Sequence, residues 1–387
     1  MSGASVSIAK TEPDAQRTPL RGRRITIIGA GIAGLTAATA LAQRGADVTV
    51  HERAVALENV GAGIQISPNA GRVMDALGLG DQLSDISTPI HAFELLNMQG
   101  SRLARMDVRR LRPNAQFRAV HRAALVQLLA DAAKKAGASI HLNSAVVDAP
   151  DADLIVGADG LHSAQRAMLN GPEKPFFTGH VAWRAIIPDP GGMPAAQVFT
   201  GPGRHLVSYP LAGGLRNIVA VEERVDWTAE SWSATDDPNN MRAAFRGFGG
   251  PVPGWLARVS SCGIWGLFRH QVAVRWHDDR RVILGDAAHP TLPFLAQGAC
   301  LAVEDAWTLG ACLSADAEQA RALARFRSLR APRATRVVAA ADANARNYHL
   351  QGPMRVAAHA ALRAGGTLAP SLLFRQVAWI YDFDPTA

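Results

Sequence analysis

The sequence predicts an α/β fold in which a discontinuous parallel-sheet domain is interrupted by a β-rich segment and followed by a helical C-terminal region. Three observations carry this. Short β-branched runs at 24–28, 47–51, 153–156 and 281–284 are of the kind found in strands buried on both faces. Helical patterning lies between the first two, as a βαβ unit requires. From about residue 176 to 274 the pattern changes to short β-type runs divided by Pro and Gly clusters. A length of 387 residues suits two interlocked domains better than one.

The elements follow in order. Residues 1–22 are polar and lack a continuous apolar stretch, so they read as a flexible N-terminus and not as a signal peptide. The strand at 24–28 runs into an Ala-rich helix at 33–44, which Gly45 stops, and the strand at 47–51 follows. A hairpin is expected at 94–98 and 102–107 around Gln99-Gly100-Ser101. A helix at 122–136 and strands at 139–142 and 153–156 come next. The β-rich segment holds runs at 181–187, 198–199, 205–211, 217–222 and 263–268, with a second hairpin turn at Gly213-Gly214. After the strand at 281–284 the chain is mostly helix. The expected domains are therefore 23–90, 108–172 and 275–335 together, 91–107 and 173–274 together, and a C-terminal helical segment at 336–387.

Composition narrows the function. With 48% hydrophobic and 19% charged residues the chain has ordinary globular character. No uncharged stretch is long enough to span a bilayer, because Arg355, Arg363 and Arg375 break the apolar C-terminal region, so no stable membrane insertion and a cytoplasmic location are expected. The net charge of +7 favours anionic ligands. Its basic residues are scattered and carry no nucleic-acid motif, so nucleic acid is not expected as a partner. Cys262, Cys300 and Cys312 lack metal-ligand spacing and read as buried thiols.

Gly29-Ala-Gly31-Ile-Ala-Gly34 directly follows a strand and opens a helix, the place of a dinucleotide fingerprint. The first glycine permits the turn, the second admits a pyrophosphate, and the third allows close packing of helix on strand. Glu52 ends the second strand, where an acid can bind ribose hydroxyls; Arg53 beside it is carried as a further cofactor-binding residue. Two more segments put an aspartate in a turn at a strand's C-terminal edge: Gly157-Ala-Asp159-Gly160 through Arg166, and Gly285-Asp286-Ala-Ala-His289-Pro290.

This trio, in this order, resembles the class A FAD-dependent aromatic hydroxylases of the para-hydroxybenzoate hydroxylase fold. The resemblance runs over nearly the whole chain from about residue 23. It implies an FAD-binding Rossmann-like domain with an inserted β-sheet substrate domain, FAD as cofactor, and NADH or NADPH and O2 as co-substrates. Asp286 would meet the ribityl chain, Arg122 the phosphates, and the helix beginning at Gly298 the pyrimidine edge of the flavin. Gly61-Ala-Gly63-Ile-Gln-Ile-Ser67-Pro-Asn69 matches a loop beside the flavin. Asp159 and Arg166 would serve both FAD and NAD(P)H. Asp305 is either a surface acid of the helix or has an indirect role, and His289 is expected to shape its loop.

Within the family the chain is similar to salicylate hydroxylase and 3-hydroxybenzoate 6-hydroxylase-like enzymes, on the 61–69 loop, Trp183-Arg184-Ala185, the 203–211 segment and 285–305. The implied reaction is hydroxylation of a phenolic or aromatic (or pyridine) carboxylate through a flavin C4a-hydroperoxide. A flavin oxidase or dehydrogenase on the same fold is the alternative. His205 and Tyr209 fall on one face of a strand with Val207 between them. By resemblance His205, with a pKa near its ordinary value, is the base, Tyr209 orients the substrate, and Gln297 hydrogen-bonds near the reacting ring. Trp183 and Arg184 are open between contact and packing roles. The aromatic segment 379–383 is expected to pack back on the body, and the chain to be a monomer or homodimer.

Overall fold

The computed structural model describes residues 19–57, 62–227 and 234–387. Residues 1–18 of the N-terminal segment and Gly61 of the 61–69 loop lie outside the described residues. The fold is mixed α/β, with three sheets and a helical C-terminal region.

A five-stranded parallel sheet is built on Arg24–Ile28 at its centre. Asp47–His51 and then Ser139–His141 lie to one side, Leu154–Gly157 and then Arg281–Ile283 to the other, so the chain leaves this sheet and returns to it late. The helix Ile32–Ala42 is apolar on every side because it is buried on every side. It packs on Asp47–His51 and against two further helices, Arg122–Lys135 and Gly298–Ala315. The resulting core contains Ile25, Ile27, Leu35, Val48, Val156, Ile283 and Val303.

The second sheet has eight strands. Phe176–Pro188, Leu215–Glu223, Arg204–Leu211 and Ala195–Gly201 are successive antiparallel neighbours, with Cys262–Arg269 on the outer side of the first. Gly213 and Gly214, both at positive φ (76° and 69°), make the tight turn between Arg204–Leu211 and Leu215–Glu223. The early hairpin Ala92–Asn97 and Arg102–Asp107 joins this sheet through a parallel ladder between Ala92–Asn97 and Ala195–Gly201. One face is covered by the short helices Pro238–Phe245 and Val252–Ala257 over Trp183, Phe199, Ile218 and Ile264. The other face carries Val219, Val221, Trp265 and Leu267, which pack with Leu292 and Phe294.

A three-stranded sheet of Gly63–Ile66, Arg118–His121 and Ser87–Pro89 was not foreseen from sequence. Its strands are short and none shows a long alternating run. Its strands touch both Arg204–Leu211 and Gly298–Ala315, so it ties the second sheet to the helix behind the first. No helix among the described residues is long and apolar enough to cross a membrane. The three cysteines are buried.

Candidate active site

One cavity of about 360 Å³ brings the glycine turn and the second sheet together. Gly31, Ile32 and Ala33 border it at the start of the first helix, Asp286 at the end of Arg281–Ile283, and Gly298, Ala299 and Ala302 on the late helix. His205, Val207 and Tyr209 border it from a single strand face, in keeping with a two-residue repeat.

The three fingerprint glycines are constrained differently. Gly29 sits at φ +104°, and a methyl there would stand 2.4 Å from the Ala158 carbonyl oxygen. A methyl on Gly34 would stand 1.9 Å from the Gly29 carbonyl oxygen. At Gly31 it would meet nothing within 4 Å and would project into open space. The first and third are therefore needed for packing, and the second leaves a cradle that one added carbon would begin to fill. Glu52 fixes this turn: its carboxylate accepts hydrogen bonds from the Ala30 N–H at 2.8 Å and the Ala54 N–H at 2.9 Å. Arg53 faces solvent.

Asp286 opens on the cavity, with its side chain accessible there. Its surroundings raise its carboxyl above the ordinary range, with desolvation the main cause and His289 and Arg122 opposing it. Arg122, also on the cavity, begins the helix Arg122–Lys135. The helix Gly298–Ala315 points its N-terminus at the cavity, where its first N–H groups lack partners within the helix. The approach to that helix passes through Ala296, a non-glycine residue at φ +53° that also borders the cavity. Gly63 borders it too; its N–H donates to Asn217 Oδ1 at 2.8 Å, and a methyl on it would strike Tyr209 Cε2 at 2.7 Å.

On the second sheet, Trp183 and Arg184 separate. Trp183 is buried, donates its indole N–H to Asp236 at 2.6 Å and packs edge-on to Phe245, so it is a core residue. Arg184 points the other way, borders the cavity and lies over the Trp265 ring at 4.3 Å. Burial lowers its guanidinium to about 10, which leaves it charged at neutral pH. Tyr209 is pushed up by burial, against the Arg184 charge and a hydrogen bond with Asn217, so it remains a phenol. His205 differs from expectation. It is fully buried, walled by Phe294, Tyr348 and His349, and burial followed by the neighbouring His349 and His180 holds it well below an ordinary histidine. His162, to which the sequence assigned no role, also borders the cavity.

Three expected residues have other occupations. Gln297 does not border the large cavity. Its side chain is buried on the far side of the helix start, where its amide donates to Ser67 Oγ at 3.0 Å and its oxygen accepts from Asn69 at 3.1 Å. Arg166 is buried, with its guanidinium donating to Glu173 and to the carbonyls of Ala287, Ala288 and Gln271. It thus pins the turn that carries Asp286. Asp159 accepts from Ser163 Oγ at 2.6 Å and from the N–H groups of Ala164 and Gln165 at 2.8 and 3.3 Å, tying down the start of Ala164–Asn170. Its neighbour Gly160, at φ +76°, borders the cavity together with Ala158, Leu161 and His162 of the same motif.

Behind the cavity lies a buried charge network that sequence reading missed. Asp305 accepts from the Gly285 N–H at 3.0 Å and from Arg330 Nε at 2.7 Å, and pairs with His289 Nε2 at 2.5 Å. Burial pushes its carboxyl up, but His289 and Arg330 outweigh that and hold it at about 2. Glu304 beside it takes two hydrogen bonds from Arg333, both 2.7 Å, one from Asn69 at 2.6 Å, and an ion contact with Arg330 at 2.6 Å. Arg333 also donates to the carbonyls of Trp379 and Ile380, and Arg72 to those of Tyr381 and Phe383. The aromatic segment does pack back on the body, with Tyr381 edge-on to Phe117 at 5.0 Å.

Comparison with known proteins agrees with this geometry. The family model for the FAD binding domain matches residues 23–151 and 148–341. The chain is 35% identical to the 3-amino-4-hydroxybenzoate 2-monooxygenase PtmB3 of Streptomyces platensis, over 93% of this chain and 96% of that one. It is 32% identical to the 3-hydroxybenzoate 6-hydroxylase of Klebsiella oxytoca, again over 93% and 96%. Among solved structures, Klebsiella pneumoniae HpxO complexed with FAD and uric acid superposes with a TM-score of 0.81 at 24% identity, covering 95% of this chain and 98% of that one.

Proposed function

As the chain belongs to the family of FAD-dependent aromatic monooxygenases, we propose that its substrate is a phenol carrying a ring carboxylate, or the pyridine analogue of one. The overall change is substrate plus NAD(P)H, H⁺ and O2 giving hydroxylated product, NAD(P)⁺ and water. The similarity to named monooxygenases and hydroxylases favours oxygen insertion over the oxidase alternative. NAD(P)H as reductant supports a cytoplasmic location.

The observation that carries the proposal is the shared cavity: the open cradle at Gly31 and the face of His205, Tyr209 and Arg184 border the same space. The residues present fit FAD. Gly31 would give room for the pyrophosphate, Glu52 would accept from ribose hydroxyls, Arg122 would supply charge for phosphate, and Asp286 would accept from hydroxyls. The N–H groups at Gly298 and Ala299, with the helix dipole behind them, favour negative charge at the pyrimidine edge. When bound, FAD activates O2 with electrons from NAD(P)H.

The chain's own residues do the rest. Arg184 holds the substrate carboxylate through charge-assisted hydrogen bonds. Tyr209, a phenol at neutral pH, hydrogen-bonds and orients the ring. His205, neutral because it is buried, takes the phenol proton at Nε2, which has no hydrogen-bond partner among the described residues. Leu267, Val221, Leu292 and Phe294 line the cavity with apolar surface and exclude water. Gln297 supports the helix start rather than the substrate.

The test uses purified FAD-loaded protein with NADH or NADPH, ¹⁸O2, and a panel of hydroxybenzoates, aminohydroxybenzoates and hydroxynicotinates. One labelled oxygen in a hydroxylated product is expected. Stimulated NAD(P)H oxidation that yields only hydrogen peroxide with every panel member would refute the assignment.

A further inference from the structure

We infer that His205, His349 and Glu223 form a proton relay that carries the substrate proton from the cavity to solvent. The inference rests on the reading of His205 as base. It begins from two distances: His205 Nδ1 lies 2.7 Å from His349 Nε2, and His349 Nδ1 lies 2.9 Å from Glu223 Oε1. The row crosses the protein wall. His205 is fully buried at the cavity, His349 is buried at the end of the helix Gln319–Tyr348, and the Glu223 side chain is 48% exposed.

The carboxylate at the outer end fixes every proton in the row. An ionised Glu223 only accepts, so His349 Nδ1 must carry a hydrogen. His349 Nε2 then holds a lone pair and must accept from His205 Nδ1–H. That leaves a lone pair on His205 Nε2, the buried ring nitrogen of the row with no partner among the described residues. The outer carboxylate thereby sets the inner histidine in the tautomer of a base.

The transfer balances. The phenol O–H bond breaks and its proton goes to His205 Nε2; the Nδ1 proton passes to His349 Nε2; the Nδ1 proton of His349 passes to Glu223 and then to water. The phenolate keeps the electron pair. Protonation of the product oxygen runs the row in reverse and restores the tautomers. Neither imidazole becomes a lasting cation. Burial, then contact with His180 and Arg204, opposed by Glu223, holds His349 at about 4, and His205 lies well below its ordinary value. The groups facing the row are His180 from Phe176–Pro188, Arg204 from the His205 strand, Glu222 beside Glu223, and Tyr348, whose phenol burial raises to about 12. His180, Glu223 and His349 also bring ligand atoms within 4.8 Å of one another. Both nitrogens of His349 are already committed to hydrogen bonds, so the arrangement suits protons better than a cation.

Two measurements on the FAD-loaded protein test this. Nitrogen NMR of ¹⁵N-histidine-labelled protein should show His205 protonated at Nδ1 and bare at Nε2, with His349 protonated at Nδ1; the opposite tautomers overturn the relay. Rapid mixing of oxidised enzyme with 3-hydroxybenzoate, in weak buffer with a pH indicator, then reads the released proton, while the flavin spectrum reads binding. Glu223→Gln and His349→Gln should bind within about threefold of wild type but release the proton at least tenfold more slowly, and imidazole should restore the rate in His349→Ala. Wild-type proton release in both Gln variants, with release lost in His205→Gln, overturns the relay and leaves the base in place. Binding to wild type with no proton released overturns the base itself.

Discussion

Replacing Gly31 and Gly34 separately by alanine should split cofactor binding from folding, because the two glycines are needed for different reasons. At Gly34 the new Cβ would sit 1.9 Å from the Gly29 carbonyl oxygen, where real contacts of this kind do not fall below 3.0 Å, so backbone must move by about 1.1 Å. Neither side of that contact is a flexible side chain. Overpacking of this sort costs about 1–3 kcal/mol or more. At Gly31 the backbone is already extended (φ −79°, ψ −173°), alanine adopts it without strain, and the methyl meets no protein atom within 4 Å. Stability of the FAD-free protein should therefore change by no more than about 0.5 kcal/mol, as at an unconstrained position. The methyl does occupy space assigned to the pyrophosphate, and a loss of at least tenfold in FAD affinity, about 1.4 kcal/mol, is expected. Urea denaturation of the FAD-stripped proteins measures the first quantity and flavin fluorescence titration the second. A Gly31→Ala protein as destabilised as Gly34→Ala, or one that binds FAD as wild type does, would refute separate roles for the two glycines.

Three further outcomes follow from the site. Asp305→Asn should destabilise the protein by about 3–5 kcal/mol at neutral pH, since it leaves Arg330 buried with one anion fewer. The folded carboxyl lies at about 2 against 3.8 unfolded, so its contribution is complete above the unfolded value and is lost as pH falls through the folded one. Urea midpoints recorded from pH 5 to pH 2 should fall less steeply for Asp305→Asn than for wild type, and parallel curves would refute this. Arg184→Met should weaken a hydroxybenzoate by about tenfold to a hundredfold in KM while sparing a phenol without a carboxylate; equal losses for both would remove Arg184 from substrate binding. Ala296→Gly should raise the denaturation midpoint, because glycine adopts φ +53° without the roughly 1 kcal/mol that an L side chain costs there; a lower midpoint contradicts that strain.

The parts legible in the sequence are those with local causes. The glycine turn and strand at 24–34 could be read because turn, dipole and strand chemistry are contained in eleven consecutive residues. The shared face of His205 and Tyr209 follows from strand periodicity alone. Two of the misplaced residues, Gln297 and Arg166, are polar groups with partners remote in sequence, whereas Asp159 is tied to Ser163, Ala164 and Gln165 beside it. Gln297 turns to Ser67 and Asn69, and Arg166 to carbonyls more than a hundred residues away. One signal was available. A helix as apolar as Gly298–Ala315 must be buried on all sides, so its adjacent acids, Glu304 and Asp305, required buried cations. Arg330 and Arg333, three apart on the following helix, are those cations. His349 carried no such signal, being one histidine at a helix end.

The anchoring of residues 379–384 bears on how the protein is made. Arg333 joins Glu304, on the helix that fronts the cavity, to the carbonyls of Trp379 and Ile380, and Arg72 grips those of Tyr381 and Phe383. During synthesis that helix emerges from the ribosome long before the segment that braces it. The wall facing the glycine turn is thus held in place by residues more than three hundred positions further along the sequence. A change that displaces residues 379–384 therefore loosens the helix that fronts the cavity from the far side of the molecule.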